Sequence, residues 1–154
     1  MEELTVAAIR EVIPALEQMP QRCRNMFDTI AGWLRENNLP VGATMTIYYN
    51  EGYVRGNIDT ECAFVIPDGS PGKTSNPDRA ITIRQIEAVP QMASTIVMDD
   101  FYKKVEGLTP AYTSLAKWIE SNGYRIVGPP RELFYASVQN GDLTAEVQFP
   151  VEKA

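Results

Sequence analysis

Glu146 stands in the run Thr144-Ala145-Glu146-Val147-Gln148-Phe149, whose strict alternation of polar and apolar side chains reads as a half-buried strand. With a period of two, Ala145, Val147 and Phe149 pack against a helix, and Thr144, Glu146 and Gln148 share the opposite face. The same parity in Glu61-Cys62-Ala63-Phe64-Val65-Ile66 turns Cys62, Phe64 and Ile66 toward a helix and Glu61, Ala63 and Val65 away from it. A carboxylate withdrawn from water loses several kcal/mol of solvation, so something must compensate it. A ligand cation at ~4 Å gains about 4 kcal/mol at an effective dielectric near 20, and aromatic faces add roughly 0.5–2 kcal/mol. A desolvated carboxyl can also hold or release a proton near neutrality. The remaining alternative is that Glu146 pairs with Arg131 or Arg125 on a solvated face, and spacing alone favours that one.

Tyr48-Tyr49 and Phe134-Tyr135 are adjacent aromatic pairs on other strands, and neighbours on a strand point to opposite faces. One of each pair can therefore line a cleft, and the sequence leaves open which. Trp33 and Trp118 fall on helix faces, where core packing is the commoner use.

Other chemistry is excluded by what the chain lacks. It contains no histidine, which removes Ser-His-Asp and Cys-His arrangements and every histidine-containing zinc site. Cys23 and Cys62 are too few for a disulfide framework and have no metal spacing, so they fit a reducing, cytoplasmic compartment. Asp99-Asp100 is a weak metal signal, Lys103-Lys104 reads as a solvated loop, and no Gly-rich phosphate loop is present, so neither metal nor cofactor is expected. Fourteen basic against twenty acidic residues give a net charge of −6, which opposes direct contact with a phosphate backbone. No apolar run approaches the ~18 residues of a membrane span, and Met1-Glu2-Glu3 does not open a signal peptide.

The chain has 154 residues, 44% hydrophobic and 22% charged, which fits one compact domain over 1–154. A strand is predicted from Thr5 to Glu17, ended by Met19-Pro20. A helix follows through Cys23, Met26, Phe27, Ile30, Trp33 and Leu34, closed by Asn37-Asn38. A hairpin over 44–49 and 61–66, a long loop over 67–78, and strands over 80–87 and 91–98 come next. Thr109-Pro110 opens a second helix as N-cap and first position, with Ala111, Tyr112, Leu115, Trp118 and Ile119 on its apolar face and Asn122-Gly123 as its stop. The chain closes with a hairpin over 131–138 and 143–151, turned at Asn140-Gly141.

The halves align on each other. An offset of 85 matches Phe27 with Tyr112, Ile30 with Leu115, Trp33 with Trp118 and Asn37 with Asn122; Tyr49 meets Tyr135 at 86, and Glu61 meets Glu146 at 85 again. The expected fold is therefore α+β: a tandem, pseudo-twofold repeat of strand-helix-strand-strand units, approximately 1–78 and 79–154. Antiparallel sheets would carry two helices, with a ligand cleft at the seam.

Three stretches carry a resemblance: Ala111-Tyr112-Thr113-Ser114-Leu115-Ala116-Lys117-Trp118-Ile119-Glu120-Ser121-Asn122-Gly123-Tyr124, Gly128-Pro129-Pro130-Arg131-Glu132-Leu133-Phe134-Tyr135, and Thr144 to Val151. With them the chain resembles, over nearly its whole length, the GyrI-like small-molecule-binding family, also the effector-binding domain of bacterial AraC-type and MerR-type multidrug regulators. The resemblance implies a pocket for lipophilic, often cationic compounds with Glu146 at its base. It makes Phe134, on the penultimate strand, and Tyr48, in the Ile-Tyr-Tyr motif, candidate walls, and matches Trp118 to a helical tryptophan; Tyr112 and Gln148 complete the candidate ligand-binding set. The sequence departs from the family pattern around Lys103-Lys104-Val105, where Gly-Pro-Tyr is usual, and at Val65, where proline is common. Family regulators carry a DNA-binding module before this domain, whereas the opening strand here starts close to Met1, so a complete regulator is not expected.

The function implied is binding of a lipophilic or cationic small molecule, for sensing or sequestration. The alternatives are hydrolysis of reactive electrophilic natural products with Glu146 as the catalytic group, an effector domain cut from a regulator, and a protein-binding role as in the gyrase-inhibitor members.

Overall fold

The computed structural model describes residues 3–51, 54–67, 80–98, 107–136 and 143–154. Most of the 67–78 loop, the pairs Asp99-Asp100 and Lys103-Lys104, and the Asn140-Gly141 turn lie outside the described residues. The chain divides into two compact units, Glu2–Ala88 and Val89–Ala154.

The first unit contains β1 (Leu4–Ala15), a short 3-10 turn (Leu16–Gln18), α1 (Met19–Glu36), β2 (Thr44–Tyr48), β3 (Gly56–Ile66) and β4 (Thr82–Ile86). Its strands run in the order β4-β1-β3-β2, antiparallel throughout. The register sets Thr5 opposite Ile66, Ala7 opposite Phe64 and Ile9 opposite Cys62. These residues share the face covered by α1, whose buried stripe is Met26, Ile30, Trp33 and Leu34, one helical turn apart. Phe27 adds an edge-on ring contact to Phe64, with centroids 5.7 Å apart.

Met19-Pro20 begins α1 instead of merely ending β1, because proline lacks only an N–H that the first helical turn would leave unbonded anyway. At the other end Asn37 Nδ2 donates to the Trp33 carbonyl at 2.9 Å, and Asn38 takes a left-handed φ of 56°. β3 starts at Gly56, five residues before the expected 61, since Asp59 and Thr60 pair with Val12 and Glu11 of β1 despite their polar side chains. β4 hydrogen-bonds to β1, so the first unit runs on to Ala88, past the division expected near 78.

The second unit contains β5 (Met92–Val97), α2 (Thr109–Ser121), β6 (Tyr124–Ile126), β7 (Arg131–Ala136) and β8 (Leu143–Lys153). β8 is flanked by β5 and β7, and its end also pairs with β6. The order β5-β8-β7 thus has the same form as β1-β3-β2 in the first unit. Leu115 and Ile119 of α2 pack on Val147, Phe149 and Val151, the apolar parity anticipated for the last strand. The Tyr112 ring stands edge-on to Phe149 at 5.7 Å.

Two corrections concern α2. Leu108 is the N-cap, without a side-chain cap hydrogen bond, so Thr109 is already helical. β6 was not anticipated; it follows directly on Gly123, whose φ of 75° suits glycine and turns the chain back along β8. Among the described residues two α-helices and eight strands make an α+β fold. No helix among the described residues is long and apolar enough to cross a membrane.

Leu34 is wholly buried under α1. Leu34→Ala should lower the unfolding free energy by about 2–5 kcal/mol, measured by equilibrium urea denaturation; a change below about 1 kcal/mol would contradict this packing of α1.

Candidate functional site

In the second unit the register places Glu146 opposite Leu133 and Ile96, Gln148 opposite Arg131 and Ser94, and Thr144 opposite Tyr135. Directly opposed side chains project to the same side, so Arg131, Leu133, Tyr135, Glu146 and Gln148 share the face turned away from α2. Tyr135 Oη donates to Glu146 Oε2 over a long 3.3 Å, and Gln148 Nε2 donates to Glu146 Oε1 at 3.0 Å. Both partners are neutral. Among the described residues no guanidinium or ammonium forms an ion pair with Glu146, neither Arg125 nor Arg131, the two anticipated partners; Arg125 is bound to Glu152. Glu146 is half-buried. Gln148 is buried, and among the described residues its Oε1 finds no donor, an arrangement that typically costs about 1–3 kcal/mol.

The first unit carries the same Tyr–Glu pair in a different electrostatic state. Tyr49, just beyond β2, donates its hydroxyl to Glu61 Oε1 at 2.6 Å. Arg84 of β4 completes the cluster: Nε donates to Glu61 Oε2 at 3.0 Å, and Nη2 donates to both Glu61 Oε1 and Tyr49 Oη, the latter at 3.0 Å. β1 lies between β4 and β3, and its small Ala8, opposite Ala63 on this face, leaves room for the long arginine to cross. Arg10 lies 3.7 Å over the Tyr49 ring and grips Asp59 with two hydrogen bonds of 2.8 and 2.7 Å. Glu61 is buried, and its charge is compensated from within the chain.

The titrations follow from these surroundings. Burial first, then the hydrogen bond to Glu61, pushes the Tyr49 phenol up to about 12. The Arg10 hydrogen bonds hold Asp59 below the usual carboxylate range. Burial, reinforced by the Glu146 charge, raises the Tyr135 phenol.

Of the six residues anticipated for ligand binding, only Glu146 and Gln148 come together. Tyr48 is opposite Thr60 and packs into the core under α1. Phe134 is opposite Ala145, on the face under α2. Tyr112 belongs to α2 and packs toward the sheet, where its hydroxyl donates to Glu132 Oε2 at 2.6 Å and burial raises its pKa. Trp118 is half exposed on α2 and stacks on Tyr124, with centroids 6.0 Å apart and planes at 16°, while Lys153 Nζ stands 4.4 Å above the other ring. The aromatic side chains sharing the glutamate faces are the other members of the two pairs, Tyr49 and Tyr135. Their matched positions with Glu61 and Glu146 were the signal in the sequence, whereas the role of Arg84 had none.

Arg84→Met strands the buried Glu61 carboxylate and should lower stability by about 3 kcal/mol, the lower end for breaking a buried pair because Arg84 is partly solvated. Glu146→Gln removes no cation partner and should change it by less than about 1 kcal/mol; urea denaturation of both variants, with equal losses, would contradict the contrast. The folded chain keeps the Tyr49 proton after an unfolded chain has released its own. That contribution is therefore whole below about pH 10 and disappears as the pH rises through about 12. Ultraviolet titration of Tyr49→Phe should lose one phenol ionising near pH 12.

No protein-family model matches the chain, and no curated protein matches it. Solved structures do. The C-terminal domain of EcmrR aligns with 100% of this chain and 94% of its own at 23% identity, with a TM-score of 0.79. EcmrR in the cryo-EM structure of its DNA complex, EcmrR-RPo, aligns with 100% of this chain but 56% of its own at 24% identity and a TM-score of 0.77. SAV2435 bound to tetraphenylphosphonium aligns with 99% of this chain and 90% of its own at 12% identity and a TM-score of 0.58. The α+β fold expected from the sequence is the fold of this chain, shared with the EcmrR C-terminal domain and with SAV2435.

Proposed function

We propose that this chain binds a lipophilic cation, with Glu146 as the counter-charge and Tyr135 and Gln148 beside it on the same face of the second sheet, in a sensing or sequestering role. The observation that carries this reading is the contrast between two carboxylates with the same tyrosine partner. Glu61 holds the Arg84 guanidinium, whereas among the described residues Glu146 is met only by the neutral Tyr135 hydroxyl and Gln148 amide. A half-buried carboxylate without a protein cation is a place where an incoming positive charge gains more than in bulk water. Further support comes from SAV2435, which shares the fold and whose structure contains the lipophilic cation tetraphenylphosphonium.

The aromatic contact is assigned to Tyr135, on the glutamate's own face, in place of Phe134 on the other. Tyr48, packed beneath α1, and Tyr112, on the sheet-facing side of α2, are assigned to the support of the sheets in this reading. Trp118 stands on the outer side of α2 with Tyr124 and is left out of the site.

Calorimetric titration with tetraphenylphosphonium should give saturable binding to the wild type. Glu146→Gln should weaken it at least tenfold, about 1.4 kcal/mol. Equal affinity in the two proteins would remove Glu146 from the site.

A further inference from the structure

We infer that Glu146 takes a cation that donates hydrogen bonds, a guanidinium, amidinium or protonated amine on an apolar aromatic body, in preference to a fully substituted ammonium or phosphonium. The inference rests on the cation-binding reading above and narrows it to one chemical class of head group.

The chain holds its own example of a satisfied site. Arg84 places N–H groups on both oxygens of Glu61 and on the hydroxyl of Tyr49, so a single planar cation supplies charge and directed hydrogen bonds together. The Tyr135–Glu146 pair offers the same acceptors. A carboxylate has about four acceptor positions, and Glu146 uses one for the long Tyr135 bond and one for Gln148. The 3.3 Å separation from Tyr135 is well beyond the usual length of an O–H···O bond, so the tyrosine does not saturate the oxygen it meets.

Gln148 gives a second, independent indication. Its amide cannot be turned round, because that would set Oε1 against a carboxylate oxygen and bring two acceptors face to face. Nε2 is therefore committed to Glu146, and Oε1 is left as a buried acceptor without a donor among the described residues. An N–H on the ligand head can supply that donor. A tetraalkylammonium or tetraarylphosphonium brings the charge but no donor, and leaves Oε1 as it was. Gln148 is thus a specificity-determining residue, selecting by hydrogen bonding where Glu146 selects by charge.

The test uses two probes with the same ring and charge, (2-naphthylmethyl)guanidinium and (2-naphthylmethyl)trimethylammonium, titrated into the whole chain beside tetraphenylphosphonium. The guanidinium should bind wild type at least tenfold more tightly than the trimethylammonium. Gln148→Leu should cut that preference, read as the ratio of the two affinities in the same protein, at least threefold. Equal affinity for the two probes, or tighter trimethylammonium binding, in a wild type that still takes up tetraphenylphosphonium overturns this inference and leaves the cation site standing. Failure of all three compounds to bind overturns both. An unchanged preference in a folded Gln148→Leu protein overturns the role given to Gln148, and the wild-type ratio decides the head group whether or not that variant folds.

Discussion

An ionised carboxylate on the face of a β-sheet loses hydration as soon as that face is covered, and it persists there only if charge or hydrogen bonds replace the lost water. Both units of this chain place a glutamate in that position, one strand pairing away from a tyrosine. The first answers from within: Arg84 reaches over β1 from β4, and the Tyr49 hydroxyl closes the ring. Arg10 and Asp59 extend the cluster, so that two guanidinium groups and two carboxylates balance around one phenol. Among the described residues the second unit answers with dipoles, the Tyr135 hydroxyl and the Gln148 amide, which is why the two glutamates differ in kind.

The helices decide which side chains are available for this. α1 takes Cys62, Phe64 and Ile66 on one side of β3, and α2 takes Val147, Phe149 and Val151 on one side of β8. Period-two geometry then leaves Glu61 and Glu146 no choice of face. A slip of one residue in the pairing of β8 would put the carboxylate beneath α2 and an apolar neighbour, Ala145 or Val147, in its place. The apolar packing of the helix therefore holds the charge in position, though it never touches it.

Much of this was legible in the chain itself. Both helices showed a 3.6-residue apolar stripe, and the alternation in 61–66 and 144–149 assigned the two glutamates to the faces they occupy. The aromatic pairs were not decidable, because Tyr-Tyr and Phe-Tyr put a ring on each side and local pattern favours neither. The register against Thr60 and Ala145 was needed, and it moved Tyr48 and Phe134 to the helix sides. Arg84 was invisible for a different reason: its partner is 23 residues away and reached only across an intervening strand. The early start of β3 was hidden by the polar residues Asp59 and Thr60, and β6 by its three-residue length, which leaves too little pattern to read.

The two tryptophans are placed so that each unit carries one indole in a different medium. Trp33 is sealed on the buried side of α1, and Trp118 is half in water against Tyr124. Their emission should differ in colour and in access to a soluble quencher, so the loss of each unit's structure can be followed by its own optical label without attaching a dye.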